Sequence, residues 1–422
     1  MADAIFFWML LALLGAAALC AVPHYVLIGA FLVRRRAALA AEGALLAQAA
    51  AGESLPRVLV QIPIHNEARV IARAIRAAAA LAWPREKLEI QVLDDSTDET
   101  GPLAEAAAEE LRRGGARIEI VRRPNRDGFK AGALQAGLAR SDAPFVAIFD
   151  ADYVPPADWL VRAHAATRAD DRAGLVQTRI AHLNRGENAL TRAQALVHDL
   201  HYGFEQPARA WSGLPNRFNG TAGLWRRRAI DEAGGWSAAT LAEDFDISYR
   251  AQSMGWRVVY LVTVAAPGEL PASWRVWKTQ QYRWTKGTAQ ATLRTIRAIL
   301  PRLAWWRRGL LSALAAGEAL LPIVAVLAIA AGFAHLAVGG RLFDPTLATA
   351  IWATIGVHVV ARIAGVLLSR QSLGDAGRGG LIGDLGAALA FEISVTAERI
   401  RATTSALLGR RSGFVRTEKR GT

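Results

Sequence analysis

A single cysteine, Cys20, stands in an apolar run, so neither a disulfide framework nor a multi-thiolate metal site can exist within one chain. Acidic residues are scarce: 37 Asp and Glu face 50 Lys and Arg, leaving a formal net charge of +13. That excess does not read as a nucleic-acid surface. The basic residues are scattered or sit beside apolar segments, as in Arg34-Arg35-Arg36, Arg307-Arg308 and Arg410-Arg411. The inner border of a membrane, where Lys and Arg accumulate, accounts for this placement better. No internal repeat and no low-complexity linker is evident, and the Ala-rich helical stretches reflect helix propensity alone.

Apolar residues make up 52% of the 422 residues and concentrate at the two ends. Ile5 to Val33 is long, apolar and closed by the arginine triplet. A signal peptide would have a shorter apolar part and would carry its positive charge before it. The segment therefore reads as one retained helix with its N-terminus outside. Leu310 to Val338, interrupted by Glu318 and Pro322, and Leu347 to Leu368 form an expected second and third crossing joined by a short outside link. Leu381 to Leu408 carries Glu392, Glu398, Arg399 and Arg401 in its second half, which suits a helix lying in the membrane interface. Three crossings place the middle of the chain and its C-terminus on the cytoplasmic side.

Between these ends, β-type runs alternate with helical patterns. Val58–Ile64, Glu89–Leu93, Arg117–Val121 and Pro144–Phe149 read as buried strands, and Ala68–Leu81, Glu99–Arg113 and Phe129–Ala139 as helices. Such alternation implies an α/β domain with a doubly wound, mostly parallel sheet. Ligands bind at the carboxyl ends of strands in these sheets. Polar residues cluster there: Pro63-Ile64-His65-Asn66-Glu67, Asp94-Asp95-Ser96 and Asp150-Ala151-Asp152.

Carboxylates two residues apart, as in Asp150 and Asp152, can hold Mg²⁺ or Mn²⁺ from an open edge, with waters and substrate phosphates completing the shell. The same residues could simply cap the next helix. Asp94 and Asp95 could accept hydrogen bonds from a nucleotide, or form an Asx turn with Ser96 and Thr97. Lys130 opens a helix where a cation and free backbone N–H groups can meet phosphate, although an isolated lysine is ordinarily a surface residue. Glu243, Asp244 and Asp246 fall in a first helical turn, where they complement the dipole. Asp244 could instead be a general base. Gln280, Arg283 and Trp284 lie on a helix that also carries Trp274, Trp277, Arg275 and Lys278. That composition suits a membrane interface, but an exposed indole also makes a platform for a sugar ring, and a guanidinium meets phosphate in bidentate fashion.

The order of these elements resembles family-two glycosyltransferases of the cellulose synthase superfamily, with two separated aspartates, a third before a helix, and QxxRW. Here these are Asp94, the Asp150/Asp152 pair, Asp244, and Gln280 with Arg283 and Trp284. The likeness is closest to cellulose synthase-like enzymes that make β-mannan or a glucan backbone. Phe218–Gly223, Glu269-Leu270-Pro271 and the DGFKAGAL stretch Asp127–Leu134 add to it. Phe414, Thr417 and Lys419 are similar to the family's gating loop FxVTxK, with Arg416 where a valine is usual; a basic tail on a membrane surface is the other reading.

The resemblance implies a GT-A fold, inversion at the anomeric carbon, a nucleoside-diphosphate sugar donor and Mg²⁺ or Mn²⁺. It makes Asp244 the catalytic base and Asp150 and Asp152 the metal ligands. Pro63, Asn66, Glu67, Asp94, Asp95, Lys130, Asp150, Gln280 and Arg283 fall to the nucleotide sugar. Asn219, Gly220, Thr221, Glu243 and Trp284 fall to the acceptor. The expected organisation is a transmembrane helix at 1–36, a cytoplasmic GT-A domain at 55–270, an amphipathic interface region at 271–308, a transmembrane hairpin at 309–368 and an interface helix with the gating-type tail at 369–422. The expected product is a β-linked glucan or mannan made from UDP-glucose or GDP-mannose at the inner (plasma) membrane; single transfer to a membrane lipid is the alternative. Partners on this view are the donor, a glycan or glycolipid acceptor and the bilayer. Polymer-making relatives carry further helices after the loop, so an export channel would call for a channel partner or a second copy of the chain.

Overall fold

The structure, a computed structural model, describes residues 2–48, 55–339, 341, 344–373, 381–410, 419 and 421. In chain order the elements begin with α1 (Ala2–Leu19), α2 (Val22–Ala47), β1 (Val58–Ile64), α3 (Ile71–Ala79), β2 (Leu88–Asp94), α4 (Thr100–Arg113) and β3 (Arg117–Arg122). Then come α5 (Phe129–Leu138), β4 (Phe145–Ile148), α6 (Trp159–Arg168), β5 (Ala173–His182), α7 (Ala189–Leu200), a π-helical turn at His201–Glu205 and α8 (Gln206–Trp211). β6 (Gly223–Arg226), α9 (Arg227–Glu232), α10 (Glu243–Ser253), β7 (Arg257–Gly268) and α11 (Trp274–Ile299) follow. The long helices α12 (Trp305–Ala337), α13 (Pro345–Leu373) and α14 (Leu381–Leu407) complete the order.

The strands form one seven-stranded sheet in the order β3-β2-β1-β4-β6-β5-β7. All described pairings are parallel except those of β6, which runs antiparallel to β4 and β5. Side-chain alternation explains the layers on its two faces. Val58, Val60, Ile62 and Ile64 pack beneath α3, α4 and α6, whereas Leu59, Val146 and Ile148 pack against α5, α9 and α10. With both faces covered, the strands are apolar almost throughout, as expected of buried parallel sheet. The strand order reverses at β1/β4, where the loops after the two strands part and leave a crevice.

The N-terminal apolar stretch, one span-length segment, carries a break at Cys20–Ala21 between α1 and α2, next to Pro23, which has no N–H to give to the preceding turn. Neighbouring helices engage backbone carbonyls around the break: the His358 ring pairs with Ala17 O at 2.9 Å, and Thr354 Oγ1 donates to Leu14 O at 3.2 Å. Non-ideal backbone in an apolar setting calls for such partners. Among the described residues two helical segments, Ala2–Ala47 including its break and Pro345–Leu373, are long and apolar enough to cross a membrane, while the apolar part of α12, Ile323–Ala337, is shorter.

The helices are fastened to the sheet by polar contacts. β7 skips residues between its pairings Thr178↔Leu261 and Arg179↔Ala265, which frees backbone N–H groups. The buried Glu42 carboxylate of α2 accepts from Val262 N at 3.2 Å, Thr263 N at 2.8 Å and Thr263 Oγ1 at 2.5 Å. The Trp-rich helix α11 is also less peripheral than its composition suggests. Trp277 is fully buried against Phe391 of α14, at 4.8 Å between ring centroids, while Trp274 and Trp284 stay partly exposed.

Candidate active site

The crevice at the carboxyl ends of β1 and β4 is a cavity roofed by α11 and floored by the loops after β4, before β6 and before α10. Three non-glycine residues in the left-handed region, Asn66, Phe129 and Ala222, all sit on its margins or directly behind them. Strain of that kind costs about 1–3 kcal/mol per residue and concentrates at functional sites.

Asp150 and Asp152 follow β4 and both line the cavity. Asp150 is the more exposed, and one of its oxygens meets Lys130 Nζ at 2.5 Å. Asp152 is buried; its Oδ2 accepts from Glu269 N at 3.0 Å and from Lys419 Nζ at 2.6 Å. Two hard carboxylates on the wall of a cavity fit how Mg²⁺ or Mn²⁺ is held, by one or two side chains plus substrate phosphates and water. Among the described residues no group of three or more His, Cys, Asp and Glu side chains is gathered as a metal site, here or elsewhere.

Lys130 Nζ also donates to Gly220 O at 2.8 Å. Burial works against its charge, but Asp150, Glu243 and Asp244 outweigh burial and raise its pKa, so it stays a fixed cation. Gly220 has φ +79°, and a Cβ there would stand 3.0 Å from Asp244 Oδ2. Only glycine combines this backbone conformation with so close an approach.

Asp244 opens α10, with Oδ1 accepting from Phe245 N at 2.8 Å. Burial first, and the neighbouring Glu243 carboxylate second, push its pKa up to about 7, against the opposing pull of Lys130 and the Phe245 N–H. A carboxylate tuned to neutrality is what general-base work requires. Asp246, in the same turn, points away: it is wholly buried and paired with Arg250 at 2.7 Å.

Arg283, Gln280 and Trp284 reach the cavity from α11. Gly287 on that helix packs on the loop before α10, where a Cβ would stand 2.9 Å from Ala242 N, so α11 lies directly over Asp244. Burial lowers the Arg283 pKa while Glu243, Asp150 and Asp244 oppose it.

Of the residues expected from sequence, Pro63, Glu67, Asp95, Lys130, Asp150, Asp152, Asn219, Gly220, Thr221, Glu243, Asp244, Gln280, Arg283, Trp284 and Lys419 line this one cavity. Two do not. Asp94 is buried behind it, accepting from Ser96 N at 2.9 Å and Arg122 Nε at 3.1 Å, so its charge is already matched within the protein. Asn66 braces the wall, its side chain accepting from Thr97 N at 2.9 Å. Phe414 and Thr417 lie outside the described residues. His65, noted in sequence only within the polar cluster after β1, lines the cavity too, and sequence reasoning missed Arg126, Tyr153, His182, His198 and Tyr202, which also line it. None of them lies in a motif whose spacing announces a site.

Residues 145–358, more than half of the chain, match the family described as Glycosyl transferase family group 2. A probable glucomannan 4-beta-mannosyltransferase 6 of Oryza sativa subsp. japonica is 40% identical over 263 residues, covering 60% of this chain and 46% of that protein. Glucomannan 4-beta-mannosyltransferase 2 of Arabidopsis thaliana is 40% identical over 261 residues, covering 60% and 49%. The chain thus spans about half the length of the curated relatives it matches. Among solved structures, the mannosyltransferase PcManGT from Pyrobaculum calidifontis, in complex with GDP-Man and Mn²⁺, superposes with a TM-score of 0.60 at 22% identity, over 92% of this chain and 100% of that one. That likeness shows the fold, and the mixed sheet with its carboxylate-lined crevice is a GT-A arrangement. The chain belongs to glycosyl transferase family group 2.

Proposed function

We propose that the chain transfers a hexose, with inversion, from a nucleoside-diphosphate sugar to a β-linked glycan at a membrane surface. The observation that carries this reading is the convergence of Asp150, Asp152, Lys130, Arg283 and Asp244 on one cavity. The relatives' names as glucomannan 4-beta-mannosyltransferases favour GDP-mannose as donor and a mannan-type product, with UDP-glucose next in order.

Asp150 and Asp152 would hold Mg²⁺ or Mn²⁺, which supplies charge neutralisation to the departing diphosphate. Lys130 and Arg283 bind the same phosphates from the flanks, Arg283 by its two-pronged guanidinium. Pro63, Glu67 and Asp95 face the nucleoside end, where Arg123 pins Asp95 through Nε at 2.9 Å and Nη2 at 2.5 Å. Asp244 takes the proton from the acceptor hydroxyl as that oxygen attacks the anomeric carbon. Trp284 carries the acceptor ring, and Asn219, Gly220, Thr221 and Glu243 border it. The two span-length helical segments, together with α12, hold the domain at the inner membrane in a multi-pass arrangement with the site on the cytoplasmic side.

The test is direct: purified protein in lipid with Mn²⁺ or Mg²⁺, given radiolabelled GDP-mannose or UDP-glucose. Label in polymer that a β-mannanase or cellulase digests is the expected result. Label only in the organic phase would replace the polymer with a glycolipid product. No turnover of any nucleotide sugar would remove the reading.

A further inference from the structure

The cavity has two unlike halves. Lys130, Asp150, Asp244 and Arg283 make one half charged. The other half is neutral and aromatic, assembled from the end of β5, the face of α7, the π-helical turn and α11. Its centre is His198, whose ring lies 5.1 Å from His182, 5.7 Å from Tyr202, 5.8 Å from Trp277 and 5.7 Å from Trp284 between centroids.

This neutral half concentrates unmet hydrogen-bond demand. Among the described residues, His182 Nε2, both ring nitrogens of His198, Trp277 Nε1 and Gln280 Oε1 are all buried without a hydrogen-bond partner. Leaving one such group unsatisfied costs about 1–3 kcal/mol, so a cluster of them calls for an explanation. Trp277, Gln280 and Trp284 share one face of α11 through spacings of three and four residues. The unmet groups therefore stand beside the indole proposed to carry the acceptor ring. A π-helical turn directly after α7 sets the angle of this wall, and such turns recur at functional sites.

The chemistry of the missing partner follows from the groups that await it. A neutral imidazole offers one donor and one acceptor, and a primary amide offers both kinds. A hydroxyl group, itself donor and acceptor, satisfies them in either sense. Lys419 and Arg185 are near enough to act on the histidines, but the unmet groups themselves are uncharged donors and acceptors, the kind a hydroxyl pairs with. The histidines are held neutral: burial, then the neighbouring His201, with Lys419 in the same sense, lowers the His198 pKa to about 3, and burial, then the neighbouring His198 ring and the cations Arg185, Arg179 and Lys419, carries His182 well below its usual value. Turning an imidazole by half a revolution about its Cβ–Cγ bond exchanges carbon for nitrogen positions, so the nitrogens can be presented to a ligand without backbone movement.

We propose that His198, with His182 and Gln280, reads the hydroxyl groups of the sugar stacked on Trp284, making this wall the determinant of which glycan acceptor is extended. The assignment deepens the glycosyl-transfer reading and rests on it.

The experiment uses the full chain in lipid with Mn²⁺ and GDP-mannose or UDP-glucose, with mannotetraose and cellotetraose as acceptors. His198→Leu should raise the acceptor KM about tenfold, the worth of one or two lost hydrogen bonds. The donor KM and kcat should stay within a small factor of the wild type. His198→Gln, which keeps a donor and an acceptor, should restore most of the acceptor affinity. His182→Phe, at a less buried position, provides a second variant if His198→Leu folds poorly, and should shift the same constant. An unchanged acceptor KM in both variants would overturn the proposal and assign the unmet groups to buried water. So would an equal fall in donor and acceptor affinity, which would mean a structural role. Transfer by the wild type to lipid alone, with neither oligosaccharide used, would also overturn it while leaving glycosyl transfer standing. Absence of any donor turnover would instead bring down the underlying reading.

Discussion

The ends of β2 and β4 carry acidic pairs that look alike on paper, and the fold uses them in opposite ways. At β2, Asp94 and Asp95 are adjacent, so successive side chains diverge. Each meets an arginine from the end of β3: Arg122 on Asp94, and Arg123 on both oxygens of Asp95. At β4, Asp150 and Asp152 are separated by one residue and face the same cavity. Their partners are single lysine ammoniums, Lys130 and Lys419, which reach in from distant segments. An arginine fork is a preorganised, lasting partner, whereas an ammonium is a point charge on a flexible stem. Asp94 is thereby built into the frame and Asp95 is fixed in place on the cavity wall, whereas the β4 pair can exchange its lysines for a ligand.

The largest effect separates chemistry from frame. Asp244→Asn removes the proposed base with little change in volume, and transfer should fall by about 10²–10⁴-fold in kcat. The melting temperature should hold or rise, because burial already disfavours the Asp244 charge. Retained turnover would shift the base role to Glu243 or Asp150. Next comes Asp150→Asn, expected to cost about 10²–10³-fold, the usual loss when one electrostatic stabiliser is removed, with binding of Mn²⁺ weakened as read by its paramagnetic resonance. A smaller and opposite result is expected at the other pair. Asp94→Ala should lower stability by about 1 kcal/mol in denaturant unfolding, because Ser96 N–H loses its acceptor, while Arg122, more than half exposed, can turn to water. Its kcat/KM should remain close to that of the wild type. If Asp94→Ala abolished transfer in a fully folded protein, the contrast between the two pairs would collapse.

The first half of the sheet was legible because its strands are short apolar runs closed by polar turns; the expected Val58–Ile64 coincides with β1. β5 and β6 were not. β5 buries Gln177 and Thr178, which spoils the apolar pattern, and β6 has only four residues, too few for a period. The site divides in the same way. Carboxylates and QxxRW announce themselves through spacing, and fourteen of the expected positions, drawn from strand ends, first helical turns, the loop before β6 and one face of α11, converge with Lys419 on the cavity. The role of Asp94 was hidden because its arginine comes from the next strand, 28 residues on. The imidazole wall was hidden more deeply, since His182 and His198 come together only when α7 folds back over the end of β5.

The smallest predicted effect asks how much of the Asp244 tuning belongs to its neighbour. Glu243 adds negative charge that disfavours ionisation of Asp244, and burial, the larger cause, acts in the same direction. The base must be ionised to accept a proton, so the rate should rise with pH through about 7, the Asp244 value. Glu243→Gln removes the like charge and leaves the burial, so the acid limb of kcat should move to lower pH, only part of the way toward an ordinary aspartate. At mildly acidic pH the variant should then reach a larger fraction of its own plateau than the wild type does. A limb that stays in place would make burial the sole cause of the raised pKa. A limb that moves upward would mean that Glu243 chiefly supports the Lys130 charge, since Lys130 is what draws the Asp244 pKa down.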